Sequence, residues 1–207
     1  MPVRSAGRRA RCGPGDVAEV TRLARILTTP RRRCVTGRHT TGVTSRLTGA
    51  IQLPDGTYIR GRGRREGLPG GPLPEFGLYL GRSRGLPRRA SARRAVEQEP
   101  AWAAAWLDWP DFRTPRDPRA AAVAIRQAYA LARAGQRVEV ACGGGTGRTG
   151  TVLACMAILA GHPATDAVAW TRRHYRPRAV ETPGQRRWVG WFAALEGDEG
   201  QSDEGQS

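Results

Sequence analysis

One segment of this chain places a cysteine, a glycine-rich turn and an arginine in the order that a phosphate-directed nucleophile needs. This segment, named here the cysteine loop, consists of Cys142, Gly143, Gly144, Gly145, Thr146, Gly147, Arg148 and Thr149. The alternating β-branched residues before it predict a strand over 137–141, and the apolar residues after it predict a helix over 151–160. Because a loop between a strand and a helix N-terminus directs several backbone N–H groups at one point, we predict an anion site there.

The same loop predicts a nucleophile. Glycines let backbone amides approach an anion without Cβ clashes, and the planar guanidinium of Arg148 can hold two phosphate oxygens at once. Since that positive field also stabilises a negatively charged sulfur, we expect Cys142 to be a thiolate. A thiolate beside a bound phosphate is a nucleophile with its electrophile already in place.

Other interpretations of the cysteine loop compete with this one. The residues from Gly145 to Gly150 fit the pattern G-x-G-x-x-G of dinucleotide-binding proteins. That pattern expects an acidic residue at the end of a second strand about 20 residues later, and the stretch over 162–175 is typical of a helix instead. A Walker A loop needs a lysine, and the chain contains none. A buried structural cysteine in a glycine turn is the remaining alternative.

A second segment, from Trp106 to Pro115, is aromatic, bounded by prolines and carries Asp111. Expulsion of an alkoxide or phenoxide from phosphorus needs a proton donor opposite the attacking sulfur. A carboxyl group shielded by aromatic neighbours can keep its proton near neutral pH. We therefore predict Asp111 as the general acid.

A third segment contains Thr182, Pro183 and Gln185. Thr182 can cap a helix that has Pro183 at its first position. Gln185 would then lie on the first turn, where its amide can hold a water molecule. Taken by itself, Gln185 is more typical of a solvated surface glutamine.

Together these segments resemble the cysteine-dependent protein-tyrosine phosphatase superfamily. The cysteine loop is similar to the phosphate loop of that family, the residues around Asp111 are similar to its general-acid loop, and the residues around Gln185 are similar to its glutamine loop. The three occur in the family's order, and the resemblance spans roughly residues 106–195. One position departs from the family, because Ala141 stands where a histidine usually orders the loop.

The resemblance implies a two-step hydrolysis. Cys142 attacks phosphorus while Arg148 and the loop amides hold the phosphate oxygens, and Asp111 protonates the leaving oxygen. Water positioned by Gln185 then releases phosphate from the phosphocysteine, and Thr149 donates a hydrogen bond to the departing thiolate. No metal or cofactor is expected.

The substrate class stays open within the resemblance. Phosphotyrosine is expected, with phosphoserine and phosphothreonine as further substrates, because the region before Trp102 is unlike the long N-terminal half of the tyrosine-specific members. The alternatives are a phosphoinositide or another phosphomonoester, or an inactive phosphate-binding module of the same fold. The expected partner is thus a phosphorylated protein or another phosphomonoester.

Composition and charge limit the remaining possibilities. The chain has 207 residues and a net charge of +16, and all 34 basic residues are arginine. Such a charge attracts polyanions, but the arginines are not interleaved with aromatic residues as in a nucleic-acid reader, so nucleic acid is not the expected partner.

No stretch of 18 apolar residues predicts a membrane span. A reduced Cys142 favours the cytoplasm, and we expect a monomer.

The pattern of elements predicts one α/β domain, with a mainly parallel central sheet flanked by helices and the cysteine loop at the carboxyl end of a central strand.

We predict an arginine-rich mobile extension over 1–45, with a short helix over 16–27, a phosphatase domain over 46–196, and an acidic disordered tail over 197–207. Within the domain we predict a hairpin over 48–59, a strand over 76–80, a helical turn and a strand over 97–109, and helices over 117–133, 164–175 and 183–195. Arg60, Arg62, Arg64 and Arg65 are predicted in a loop, and Trp170, Trp188 and Trp191 in the core.

Overall fold

The structure is a computed structural model that describes residues 46–81 and 100–203, with side chains described as far as residue 198. The predictions for residues 1–45, including the short helix over 16–27, lie outside the described residues, as do those for 97–99 and 204–207. None of the helices in the described ranges is long and apolar enough to cross a membrane.

The described residues form five strands and four helices, and four of the strands precede the first helix. The strands are β1 (Ala50–Gln52), β2 (Tyr58–Gly63), β3 (Phe76–Leu80), β4 (Ala103–Leu107) and β5 (Val138–Cys142). The helices are α1 (Pro118–Arg133), α2 (Gly147–Leu159), α3 (Ala167–His174) and α4 (Pro183–Asp203). The sheet has the order β1-β2-β5-β3-β4, and every neighbouring pair is parallel except β1 and β2. The predicted α/β class with a mainly parallel sheet is confirmed.

The central position of β5 decides where the cysteine loop lies. All five residues of this strand are buried, because it pairs with β2 on one side and β3 on the other. The carboxyl ends of these three parallel strands meet at one edge of the sheet, and β5 ends at Cys142. Ligands of open α/β sheets bind outside that edge, so the fold presents Cys142 there.

Short-range sequence signals determine where α1, the helix that precedes β5, begins and ends. The carboxylate of Asp117 accepts a hydrogen bond from the N–H of Ala120 at 3.0 Å, and Pro118 occupies the first turn of α1. Gly135 follows the helix with φ +87°, a left-handed conformation that stops a helix at low cost in glycine. The predicted helix over 117–133 and its end at Gly135 are confirmed.

Two arginines that we predicted in a loop lie instead on β2. Arg60 Nη2 is 2.6 Å from Glu139 Oε2, and Arg62 Nε is 2.9 Å from the same oxygen. Tyr79 donates from its hydroxyl to the other oxygen of Glu139 at 3.2 Å. The loop prediction was wrong for Arg60 and Arg62, because it rested on the flanking glycines, whereas a buried carboxylate on β5 pairs with both arginines on the adjacent strand.

Other boundaries differ from the predictions in smaller ways. The hairpin and the strand over 76–80 are confirmed, whereas α2 begins four residues before the predicted start at residue 151. Helix α4 continues to Asp203, so residues 197–203 of the predicted disordered tail are helical. Trp170 and Trp188 are buried as predicted, but Trp191 is 37 % exposed because it lies on the outer side of α4.

Candidate active site

The cysteine loop wraps around the sulfur of Cys142. The Cys142 side chain is buried at the end of β5, and its Sγ accepts a hydrogen bond from the N–H of Gly145 at 3.1 Å. The Oγ1 of Thr149 accepts from the N–H of Cys142 at 3.0 Å, which ties the start of the loop to the first turn of α2. The sulfur therefore faces a backbone amide at the positive end of a helix, as an anionic nucleophile requires.

Glycine is required at one point of the loop. Gly145 has φ +71°, and a Cβ there would lie 2.3 Å from the backbone nitrogen of Gly63 on β2. This position therefore needs both the left-handed backbone and the space. At Gly147 a Cβ would meet only side-chain ends, 2.1 Å from Oε2 of the exposed Glu181 and 3.0 Å from the amide atoms of Gln185.

Arg148 connects three parts of the site. Its Nη1 donates to the carbonyl oxygens of Leu80 at 3.2 Å and Trp109 at 2.9 Å, and its Nη2 lies 2.8 Å from Asp111 Oδ1. The Nε of Arg148 is buried and has no hydrogen-bond partner among the described residues. Since a buried donor without a partner is costly, this N–H is available for an oxygen of a bound anion.

Asp111 lies on an acid loop, defined here as residues 108–116. Trp109 anchors this loop, since it is fully buried and donates from Nε1 to the carbonyl oxygen of Arg113 at 2.7 Å. Phe112 has φ +57°, a left-handed conformation that is strained for a side chain of this size. The turn directs the half-exposed Asp111 carboxylate towards Arg148, so the structure brings together the predicted nucleophile, anion-binding arginine and acid.

Gln185 is fully buried, so its interpretation as a solvated surface residue is wrong. Its Oε1 accepts from the N–H groups of Glu181 at 2.8 Å and Thr182 at 3.3 Å. Thr182 caps α4 as predicted, accepting from the N–H of Gln185 at 3.2 Å. The Nε2 of Gln185 is buried without a partner in the described residues, and it borders the cysteine loop at Gly147.

Comparisons with known proteins agree with this geometry. Residues 91–189 match a family model described as a Swiss Army Knife protein, DSP-PTPase phosphatase domain. The match supports the cysteine-dependent protein-tyrosine phosphatase superfamily for this part of the chain. The resemblance stated from the sequence is confirmed.

Solved structures show the same fold. The crystal structure of Tk-PTP in its active form aligns with a TM-score of 0.50 and 24 % identity, covering 70 % of this chain and 97 % of that chain. Human DUSP28 aligns with a TM-score of 0.51 and 15 % identity, covering 72 % and 99 %. No curated protein matches the chain.

The cysteine loop is held from outside by residues that the sequence analysis missed. The hydroxyl of Tyr175 donates to the carbonyl oxygen of Gly145, and Arg176 Nη1 donates to that of Gly144 at 3.1 Å. Arg176 is in turn held by Glu66, whose two carboxylate oxygens lie 2.8 and 2.9 Å from Nη2. These three side chains, named here the loop brace, hold the loop from outside in a chain that has Ala141 before the cysteine.

The loop brace determines which way the loop amides point. A peptide unit is planar and trans, so its C=O and the following N–H point in opposite directions. When Arg176 holds the carbonyl of Gly144 outward, the N–H of Gly145 points inward, where it meets Cys142 Sγ. Burial raises the pKa of Tyr175, which keeps its hydroxyl protonated as a donor.

We expect Tyr175→Phe to lower kcat/KM for an aryl phosphate about tenfold, because a loop carbonyl loses its buried donor. The rate at which iodoacetate alkylates Cys142 at neutral pH should also fall, since the peptide between Gly145 and Thr146, whose carbonyl Tyr175 holds, is then free to rotate. Tyr58→Phe is the matched control, because Tyr58 lies at the start of β2 and contacts Arg46. Equal alkylation rates for Tyr175→Phe and the wild type would contradict the role of the brace.

Proposed function

We propose that this protein hydrolyses phosphomonoesters through a phosphocysteine, with phosphotyrosine as the main substrate and phosphoserine or phosphothreonine as further ones. The observation that carries the proposal is the position of Cys142 Sγ against the N–H of Gly145, inside a loop whose Arg148 bridges to Asp111. The match to a phosphatase domain supports the same reaction class. Because an oxidised Cys142 could not attack, we place this activity in a reducing compartment such as the cytoplasm.

In the first step the thiolate of Cys142 forms a bond to phosphorus as the bond to the leaving oxygen breaks. The loop N–H groups and the free Nε of Arg148 stabilise the charge on the three equatorial oxygens. Phosphate entry displaces the Asp111 carboxylate from Arg148, and the carboxyl group in its protonated form then donates to the leaving oxygen. The products are a phosphocysteine and an alcohol or phenol.

In the second step water attacks the phosphocysteine. The Asp111 carboxylate accepts a proton from the water, the P–S bond breaks, and inorganic phosphate leaves with the thiolate restored. The unpartnered Nε2 of Gln185 is the donor that we assign to positioning this water. Thr149 keeps its own hydroxyl hydrogen while accepting from the N–H of Cys142, so it can donate that hydrogen to the departing sulfur.

A series of aryl phosphates tests the assignment of Asp111. We expect Asp111→Asn to slow esters of weakly acidic phenols by about 10²- to 10⁴-fold, because their leaving oxygen needs a proton. Esters of strongly acidic phenols should slow far less, so kcat should depend more steeply on the phenol pKa. Asp108→Asn is the matched control, since Asp108 lies on the same acid loop but pairs with Arg116.

The comparison of Asp111→Asn with Asp108→Asn separates catalysis from loop stability. Similar losses of kcat in the two variants, or a loss of kcat that does not depend on the leaving group, would contradict the assignment of Asp111 as the general acid. The assays use a reducing buffer with a chelator, so that turnover reports the thiol chemistry alone.

A phosphate-binding module without turnover is the second candidate function. Two observations favour it: Ala141 stands before the cysteine, and the Asp111 carboxylate occupies Arg148 in this structure. Vanadate binding by the wild type without hydrolysis of any ester would support the module. Turnover of phosphoinositides but not of phosphopeptides would instead favour the lipid phosphatase alternative.

A further inference from the structure

We propose that the protein has a second anion site, separate from the cysteine loop, that binds a small molecule with two or more phosphate groups. The site is a cavity of about 510 Å³ that lies where β5 begins. Its walls come from the β1–β2 hairpin, the C-terminal end of α1 and the start of β5. Cys142 is at the opposite end of β5, and no residue of the cysteine loop lines the cavity. This second site therefore does not depend on the proposed hydrolysis.

Arginines dominate the walls of this cavity. They come from four places in the chain: Arg46 before β1, Arg60 on β2, Arg133 at the end of α1 and Arg137 before β5. In the part of the chain that the structure describes, Asp55 is the one acidic residue of the lining, and it lies 3.7 Å from Arg133. The charges of that pair offset each other, which leaves the guanidinium groups of the other three arginines. A concave surface with such an excess of positive charge concentrates anions.

Arg60 contributes a buried donor that has no partner. Its Nε and Nη2 lie 2.8 and 2.6 Å from a single oxygen of Glu139, Oε2. Its Nη1 is buried and has no hydrogen-bond partner among the described residues. Arg60 is only 1 % exposed, and a buried donor without a partner is costly. An oxygen of a ligand in the cavity would therefore complete the hydrogen bonding of this side chain.

The neighbouring Arg62 differs from Arg60 in this respect. Arg62 lies two residues further along β2, and its Nε is 2.9 Å from the same Glu139 oxygen. Its Nη1, however, donates to the carbonyl oxygens of Gly63 at 3.0 Å and Glu66 at 3.2 Å. The two arginines thus share one carboxylate charge, and of the two only Arg60 keeps a buried nitrogen without a partner. Because excess buried positive charge is unfavourable, an anion beside Arg60 would be stabilised.

The size and the lining of the cavity favour a polyphosphate over a single anion or a nucleobase. One phosphate group occupies one or two guanidinium groups, whereas about 510 Å³ lined by several of them suits a larger ligand. Arg137 can contribute despite its pairing with Glu75 at 3.3 Å, because partly exposed ion pairs are weak. Tyr58 is the one aromatic residue of the described lining, and the guanidinium carbon of Arg46 lies 3.7 Å from its ring centre. The cavity therefore offers guanidinium groups to phosphates more readily than it offers an aromatic ring to a base.

Calorimetric titration of the full chain with inorganic tripolyphosphate tests the site, with vanadate present to fill the cysteine loop. We expect one equivalent to bind the wild type about tenfold more tightly than inorganic phosphate does, and high salt to weaken this binding. Arg60→Gln should weaken it about tenfold and Arg46→Gln about threefold. ATP should bind no more tightly than tripolyphosphate, because the phosphates supply the contacts. Arg173→Gln is the matched control, since Arg173 is exposed on α3 beside Asp166 and does not line the cavity.

Thermal unfolding of each variant controls for folding. Arg60→Gln removes a partner of the buried Glu139, so its fold is checked before its affinity is compared. Arg46 is exposed, so Arg46→Gln tests the site even where Arg60→Gln does not fold. Tripolyphosphate should raise the melting temperature of the wild type and raise that of Arg46→Gln less, because a ligand stabilises the folded state in proportion to its occupancy.

Several results would overturn the assignment. If vanadate abolishes tripolyphosphate binding, the ligand occupies the cysteine loop and there is no second site. Folded Arg60→Gln and Arg46→Gln proteins that bind like the wild type would exclude the cavity, and an equal loss in Arg173→Gln would show only a general attraction to a basic protein. Much tighter binding of ATP would contradict a site for phosphate groups alone. Because calorimetry measures binding without turnover, an inactive wild type would refute the proposed hydrolysis and leave this test intact.

Discussion

Replacement of Cys142 by serine abolishes turnover of an aryl phosphate, with a loss of about 10⁴-fold or more, while phosphate still binds. A serine hydroxyl is not ionised at neutral pH, and neither histidine of the described residues, His162 or His174, hydrogen-bonds to the cysteine loop. The anion site survives because it is built from loop amides and the Arg148 side chain. The nucleophile and the binding site are therefore separable in this fold.

The measurement pairs steady-state hydrolysis with vanadate or phosphate binding by calorimetry for the same variant. Cys155→Ala is the matched control, because Cys155 is a buried thiol on α2 whose pKa burial raises well above its usual range. This control should keep turnover within about threefold, because the loss of one buried sulfur affects stability more than chemistry. A Cys142→Ser variant that hydrolyses the ester as fast as the wild type would contradict the assignment of Cys142 as the nucleophile.

Replacement of Arg148 by lysine has the second largest expected effect, a loss of about 10³-fold in kcat/KM. A lysine ammonium cannot reproduce the planar group whose two terminal nitrogens contact Leu80, Trp109 and Asp111. The free Nε that we assign to a phosphate oxygen is also lost. The carbonyl oxygens that Arg148 holds would lose their donor, so the acid loop should become more mobile.

Steady-state kinetics and phosphate affinity measure this effect together. Both kcat and affinity should fall, because Arg148 contacts the anion in the ground state and in the transition state. Arg133→Lys is the control for a general change of charge, since Arg133 is mostly exposed near the opposite end of β5. A kcat/KM for Arg148→Lys within tenfold of the wild type would contradict the proposed bidentate role.

Short-range signals explain why much of the fold was predictable. The alternation in 76–80, the cap at Asp117 and the glycine at Gly135 each act within a few residues, and the strand and the helix follow them. The ends of α2 and α4 were harder to predict, because helices extend when neighbouring elements cover them. Arg126 on α1, for example, pairs with Glu196 near the predicted end of α4 at 2.8 Å.

The candidate site likewise contains residues that short-range signals predict and residues that only long-range contacts reveal. The meeting of Cys142, Arg148 and Asp111 in one site was predictable, because each lies in a distinctive run of consecutive residues, and their catalytic roles stay predictions. The role of Arg176 was not, since it depends on Glu66, which lies 110 residues away in the chain. The contact of Arg60 and Arg62 with Glu139 was hidden for the same reason, because it depends on which strands become neighbours.

The amino-acid sequence alone determined the cysteine loop, the segment around Asp111 and the α/β class, because glycine spacing, helix caps and strand alternation act locally. Only the tertiary structure decided how the loop is held. The pairing of β2 with β5 places Glu66 where it holds Arg176 against the Gly144 carbonyl, while Tyr175 holds that of Gly145. Hydrogen bonds and ion pairs act over a few ångströms. The number of residues between two side chains along the chain does not show how far apart they lie in the folded protein.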